Sequence, residues 1–298
     1  MRPEIPVECS VLRNITCADI RRDPYPHVVV ENCLPPDIYA DLARTYPDDE
    51  TILRLSGARD QYVIRQNHRY DLRAHRILRN PNSVSPAWEE FVRYHVSPEF
   101  FREFLNLLGP EIASTYPALE RRLGRTMTER TTGIRFDPEW DRGQIALDCQ
   151  IGINTPVKRR SATRGVHTDA PDELFAMLLY FRRDEDRAQG GDLEICRWKK
   201  GARPLFIDRD VDPSDTEVRG IVPYKANTLV AFINSPVSLH AVTPRDPTSL
   251  SRRLVNIVGR VYRSVPEGLF ERPQKKGLKA LAGRYAIKIS DRSSRRYF

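Results

Sequence analysis

Long apolar runs are missing from this 298-residue chain. None approaches the roughly 18 residues that a membrane-crossing helix needs, although 40% of the residues are hydrophobic. That argues against a transmembrane span. The first ten residues, MRPEIPVECS, hold no apolar stretch of the kind a secretory signal carries. The expectation is a soluble, cytoplasmic protein. Cysteine is sparse as well. The five present (Cys9, Cys17, Cys33, Cys149 and Cys196) form no C-x-x-C pair. A zinc ribbon or thioredoxin-type site is therefore not expected, and reduced, mostly buried thiols are. There is no internal repeat and no low-complexity segment. Aliphatic and aromatic residues are too plentiful for disorder to dominate.

Acidic side chains run short in one place. Residues 263–298 carry ten basic and three acidic groups, out of a whole-chain net charge of +8, so the first 262 residues are close to neutral. Such a tail reads as a solvated basic face or a terminal helix laid on the body. A nucleic-acid role would rest on the tail alone, where the aromatics Phe270, Tyr285, Tyr297 and Phe298 are dispersed rather than gathered for base stacking. Neither nucleic acid nor membrane is expected as a partner.

The pattern along the chain changes near residue 130. Before it, HVVV (27–30) is strand-like. Pro36-Asp37 then opens a helix over 36–46, PAWEEFVRYHV (86–96) forms another, and Ser97-Pro98 caps a third that Gly109 is expected to stop. A further helix is expected over 111–123. After residue 130 come short apolar segments between Gly, Pro and Asp: Ile145–Asn154, Leu174–Phe181, Asp192–Cys196, Thr228–Ile233 and Arg253–Tyr262. Several are apolar on both faces, as strands inside a packed sheet are. Helices first and strands afterwards imply an α+β chain. Residues 1–129 would be a mainly helical support, 130–262 an antiparallel sandwich or barrel, and 263–298 a basic extension.

His167-Thr168-Asp169 places an imidazole and a carboxylate two residues apart, where both point the same way from extended chain. Alone this is weak, because chance supplies about 0.4 such tripeptides at this composition. Context strengthens it. His240 follows Asp169 by 71 residues, just past the strand Thr228–Ile233, and Arg252-Arg253 lies 12 residues further on, opening RRLVNIVGRVY. Two His and one carboxylate on a sheet scaffold make the facial triad of a non-haem Fe(II) site, with three positions left open. The remaining histidines, His27, His68, His75 and His95, find no carboxylate or thiolate at matched spacing, and His95 reads as a packing residue beside Trp88 and Phe91.

The ordered set resembles the Fe(II)- and 2-oxoglutarate-dependent oxygenases, in particular the prolyl-4-hydroxylase-like branch. The matching run is His167-Thr168-Asp169, LFAMLLYFRRDED (174–186), QGGDLEI (189–195), PYKANTLVAFINSPVSLHAVTP (223–244) and RRLVNIV (252–258), with a shorter echo at PYPHVVVENCLPPDIYADL (24–42). The resemblance implies a double-stranded β-helix (jelly-roll or cupin-like) core over about 130–262, buttressed by the N-terminal helices. It implies Fe(II) held by His167, Asp169 and His240, with 2-oxoglutarate and O2 as co-substrates and ascorbate as an accessory reductant. Tyr180 matches a tyrosine that bonds the distal carboxylate of 2-oxoglutarate. An arginine opening the last core strand would pair with that carboxylate, and both Arg252 and Arg253 stand there. Alternation favours Arg252, whose face reads Arg252, Leu254, Asn256, Val258, while the other reads Arg253, Val255, Ile257, Gly259.

Gln150 and Asn154 share one face of the strand before the His-x-Asp. They either line the cofactor pocket or turn to solvent from an edge strand. The linker TPVKRRSATRG (155–165) holds four cations and no acid. It is either a solvated basic loop or a mouth that favours an anionic substrate, with Arg164 as the substrate contact. The expected reaction is hydroxylation of an unactivated C–H bond of a small metabolite or natural-product intermediate, with release of succinate and CO2. Asp169 argues against a halogenase, since relatives that halogenate lack this carboxylate. A peptidyl or carrier-protein-bound residue is the alternative substrate, and a non-catalytic β-helix binding module the alternative of another class.

Overall fold

The computed structural model describes residues 7–57, 65–140, 143–261 and 268–274. Most of the basic extension at 263–298 lies outside the described residues. In chain order the elements are β1 (His27–Glu31), α1 (Pro36–Arg44), α2 (Asp49–Leu55), β2 (Arg69–Leu72), α3 (Ala74–Arg79), α4 (Pro86–His95), α5 (Pro98–Thr115), α6 (Leu119–Leu123) and β3 (Thr132–Ile134). Strands then dominate: β4 (Ile145–Asn154), β5 (Glu173–Tyr180), β6 (Leu193–Trp198), β7 (Phe206–Ile207), β8 (Asp210–Val211), β9 (Thr216–Val222), β10 (Thr228–Ile233), β11 (Leu239–Val242) and β12 (Arg252–Arg260).

Two sheets face each other. The larger has the order β1-β10-β5-β12-β4-β2, with β3 added beside β4, and the smaller has the order β11-β6-β9. Apart from the parallel pair β3–β4, the pairings are antiparallel. This is the expected α+β double-stranded β-helix with helices against one face. Residues 1–129 also supply two strands, β1 and β2, at opposite ends of the large sheet.

The helices begin where the sequence places caps. Ser85 accepts from the Trp88 amide and Ser97 from the Phe100 amide, each with proline in the first turn. The expected stop at Gly109 does not occur. The helix α5 runs through Gly109 and Pro110 to Thr115, and the region 111–123 is divided between its last turn and α6. Leu107, Leu108 and Ile112 on either side of that pair are all buried in the core. Burial outweighs the ~3 kcal/mol that an interior proline costs.

The two faces of the large sheet differ. On the outer face Ile145, Leu147, Cys149, Ile151 and Ile153 of β4, with Val255 and Ile257 of β12, join Trp88, Phe91, Phe101 and Phe104 in one hydrophobic cluster. On the inner face Ala176, Tyr180, Leu254 and Val258 pack against Leu193 and Ile195 of the small sheet, with Tyr25, Tyr224 and Phe232 between them. Four of the five cysteines are buried and Cys17 is exposed. None of the described helices is long and apolar enough to cross a membrane.

Candidate metal and co-substrate site

The three ligand candidates meet where the small sheet closes on the large one. His240 lies on β11. His167, on the segment leading to β5, exchanges backbone hydrogen bonds with His240 in both directions at 3.0 Å and bridges to Asp210 on its other side. Partners in such a bridge point to the same face, so both imidazoles turn inward, with ring centroids 4.2 Å apart. Asp169 joins them two residues on. His167 Nε2 is 3.9 Å from Asp169 Oδ1, and His240 Nε2 is 3.7 Å from Asp169 Oδ2. One donor atom from each residue lies within 4.8 Å of the other two.

The electrostatics prepare these groups as ligands. His167 Nδ1 faces the Gly165 carbonyl at 2.8 Å, and His240 Nδ1 faces the Ser238 carbonyl at 3.0 Å. Each carbonyl holds the proton on Nδ1 and leaves Nε2 with its lone pair toward the cluster. Burial lowers both imidazole pKa values. For His167 the neighbouring His240 and Arg164 push in the same direction, while for His240 the Asp169 carboxylate opposes the fall. Arg272 braces the motif from behind. Its guanidinium donates to the Thr168 hydroxyl at 3.0 Å, to the Thr168 carbonyl at 2.9 Å and to the Asp169 carbonyl.

The second part of the site lies on the inner face of β12. Arg252 is 3% exposed, and its guanidinium sits 4.8 Å from the Tyr180 ring and 4.7 Å from the Tyr224 ring. One nitrogen, Nη1, donates to Asn154 Oδ1 at 3.2 Å. Nε and Nη2 of Arg252, Nδ2 of Asn154 and the Tyr180 hydroxyl are buried without a hydrogen-bond partner among the described residues. The guanidinium stands close enough to that hydroxyl to oppose the rise in its pKa that burial causes. Arg253 points the opposite way, over the Tyr46 ring at 4.9 Å on the helical side. Buried polar atoms are paired in more than ~90% of cases, so a cluster of open donors around a guanidinium has the chemistry of a carboxylate site. The Gly190-Gly191 turn is shaped for it. Both residues have φ of 82°, and a Cβ on Gly191 would sit 3.2 Å from Cδ and Nε of Arg252. Behind this turn the ion pair Arg245–Asp186, 2.6 Å long, is almost wholly inaccessible to solvent.

The other expected residues divide. Gln150 does face inward, but its amide is engaged: Nε2 donates to Asp148 at 2.7 Å and Oε1 accepts from Asn256 at 3.2 Å. Asn154 is the amide that reaches the open donors. In the 155–165 loop, Arg160 pairs with Asp246 at 3.3 Å, and Arg164 stands 3.7 Å from Asp210 with its Nη2 buried and unpartnered. Burial pulls the Arg164 pKa down to about 10, Arg209 adds to the fall, and the Asp169 and Asp210 carboxylates oppose it. Arg164 therefore lies within the field of the triad. Tyr224, Arg272 and the Arg245–Asp186 pair belong to the same region and were not legible as site residues. PYK (223–225) carries the only nearby hint, a tyrosine just ahead of a core strand.

No family model matches the chain, and no curated protein sequence does. Solved structures are similar to it. A Pseudomonas putida prolyl-4-hydroxylase aligns at 14% identity over 78% of this chain and 91% of its own, with a TM-score of 0.40. A Phytophthora capsici prolyl 4-hydroxylase aligns at 14% identity over 97% and 74%, with a TM-score of 0.45. The Arabidopsis thaliana dioxygenase for auxin oxidation, in its 2-oxoglutarate complex, aligns at 14% identity over 79% and 82%, with a TM-score of 0.39.

Proposed function

We propose that the chain is an Fe(II)- and 2-oxoglutarate-dependent dioxygenase that hydroxylates an unactivated C–H bond of a small metabolite. One observation carries this reading. A triad of two neutral imidazoles and a carboxylate shares the β-helix interior with a buried arginine that keeps open donors among the described residues. The donor set fits iron: two imidazole nitrogens and one carboxylate are the facial set that leaves three positions for other ligands. The arginine fits the far carboxylate of a dicarboxylic co-substrate.

In this reading His167, Asp169 and His240 hold Fe(II), and Arg252 with Tyr180 holds the distal carboxylate of 2-oxoglutarate. Together with O2, the bound pair would supply oxidative decarboxylation to succinate and CO2, coupled to oxidation of the substrate C–H bond. The chain's own residues orient and shield. Gly165 and Ser238 fix the imidazole tautomers through their carbonyls. Leu254, Val258, Ile195 and Phe232 keep the interior dry, which strengthens the Arg252–carboxylate contact. Arg164, with one buried nitrogen open beside the triad, meets an anionic group of the substrate.

Anaerobic titration of the apoprotein with Fe(II) and then 2-oxoglutarate tests the proposal. A weak visible charge-transfer band that requires both is the expected result, followed by succinate release in a metabolite screen. Folded protein that shows no band overturns the reading and returns the β-helix to a binding role.

A further inference from the structure

The co-substrate reading leaves an arginine unexplained. β2 is an edge strand paired to β4 in the register Arg69↔Asn154, and β12 pairs to the other side of β4 in the register Arg252↔Asn154. Residues opposite each other in antiparallel strands share a face. Arg69, Asn154 and Arg252 therefore form one row across three strands. The other β2 face is apolar: Leu72 is in the outer hydrophobic cluster and Tyr70 packs on it.

This row is built rather than incidental. Arg69 Nε donates to Asp71 Oδ1 at 2.8 Å. Asp71 fits there because residue 152 is glycine, where a Cβ would stand 2.5 Å from that same Oδ1. With Nε held by Asp71, Nη2 of Arg69 is left buried and unpartnered. Its charge also reaches Tyr180: burial raises the pKa of that hydroxyl, and Arg252 and Arg69 both oppose the rise. Five open donor atoms thus lie along the row and its neighbour: Arg69 Nη2, Asn154 Nδ2, Arg252 Nε and Nη2, and Tyr180 Oη.

Two counts point to a single ligand group. A carboxylate offers about four lone-pair sites. Engaged as a fork, Nε and Nη2 of Arg252 each give one N–H and the Tyr180 hydroxyl gives a third donor, which leaves one lone pair for Arg69 or Asn154. The charges agree. Arg69, Asp71 and Arg252 sum to one positive charge, which one carboxylate neutralises, as the buried Arg252 end of the row requires. We infer that Arg69 is a second guanidinium on the distal carboxylate of the dicarboxylic co-substrate, so that the carboxylate is clamped between β2 and β12. The inference rests on the co-substrate reading above. It gives the N-terminal third a part in binding as well as in support.

The test measures binding, not turnover. 2-Oxoglutarate and 2-oxovalerate, which keeps the 2-oxo acid but replaces the distal carboxylate with a methyl group, are titrated calorimetrically into Mn(II)-loaded enzyme. The proteins compared are wild type, Arg69→Gln and Arg69→Lys, with each variant's melting temperature recorded. Arg69→Gln is expected to weaken 2-oxoglutarate roughly tenfold or more, the effect of losing a charge-assisted bond, and to leave 2-oxovalerate unchanged. Arg69→Lys, which keeps the charge without the fork, is expected to lose less, again for 2-oxoglutarate alone. Equal affinities across the three proteins, or equal losses for both ligands, overturn the clamp while leaving Arg252 in place. Wild type that binds neither ligand overturns the co-substrate reading itself.

Discussion

The two faces of the large sheet obey opposite rules. Outward, β4 and β12 present an apolar surface apart from Arg253 at the start of β12. The helical side meets it with Trp88, Phe91, Phe101 and Phe104, and the Trp88 indole donates to the Leu42 carbonyl at 2.9 Å. Inward, the same strands present Asp148, Gln150, Asn154, Asn256 and Arg252, and several donors there have no partner among the described residues. One face is complete without a ligand and the other is not. Stability and function are therefore separated by strand alternation within single strands, and substitutions one residue apart should have effects of different kinds.

The largest effects should come from the triad. Asp169→Ala is expected to abolish Fe(II)-dependent turnover and the charge-transfer band while the apoprotein keeps its melting temperature, because this carboxylate supports no packing. Retained activity would remove Asp169 from the site. Trp88→Ala is the outward counterpart. It should cost about 3–5 kcal/mol of unfolding free energy in denaturant titration, as deletions of fully buried large side chains do, and leave Fe(II) binding by the folded fraction unchanged. Next comes the adjacent pair. Arg252→Gln should weaken 2-oxoglutarate binding by about 10- to 100-fold, the value of a charged hydrogen bond, and Arg253→Gln should change it little. The reverse order would show that the strand phase assigned to β12 is wrong.

That phase was legible beforehand because alternation is a local property. RRLVNIV separates into a polar and an apolar row on paper, and the paired sheet keeps the two rows apart. The His-x-Asp and distant His were legible for another reason, their order among strand-like segments and turns, although His167 sits at an isolated bridge and Asp169 outside any strand. What escaped depends on distant pairing. Four residues, RYDL, do not announce a strand, and only the register against Asn154 gives Arg69 a position. The Asp186–Arg245 ion pair joins residues 59 apart in the chain. Gln150 and Asn154 are equivalent on paper, and only the folded chain shows Asp148 and Asn256 occupying the Gln150 amide. The helix across Gly109-Pro110 was hidden because local propensity argued against it and only tertiary burial argued for it.

The smallest effect sharpens the comparison on the outer side, where a histidine serves packing and not metal. His95 is wholly buried. Its Nδ1 faces the Phe91 carbonyl at 2.7 Å, and its Nε2 accepts from the Val11 amide at 3.2 Å. A second proton would have to sit on Nε2, against an N–H already pointing at it. Burial accordingly holds the pKa down to about 3, whereas an unfolded histidine titrates near ~6.5. Between those values the unfolded chain binds the extra proton and the folded one does not. Stability is thus fully present above about pH 6.5 and is lost as pH falls, by about 1.4 kcal/mol per pH unit from this residue. Denaturant titrations of metal-free protein between pH 7 and pH 5 should show the loss. In His95→Gln, which cannot titrate, the slope should fall by the equivalent of one proton, and identical slopes in the two proteins would mean that His95 takes up its proton without unfolding.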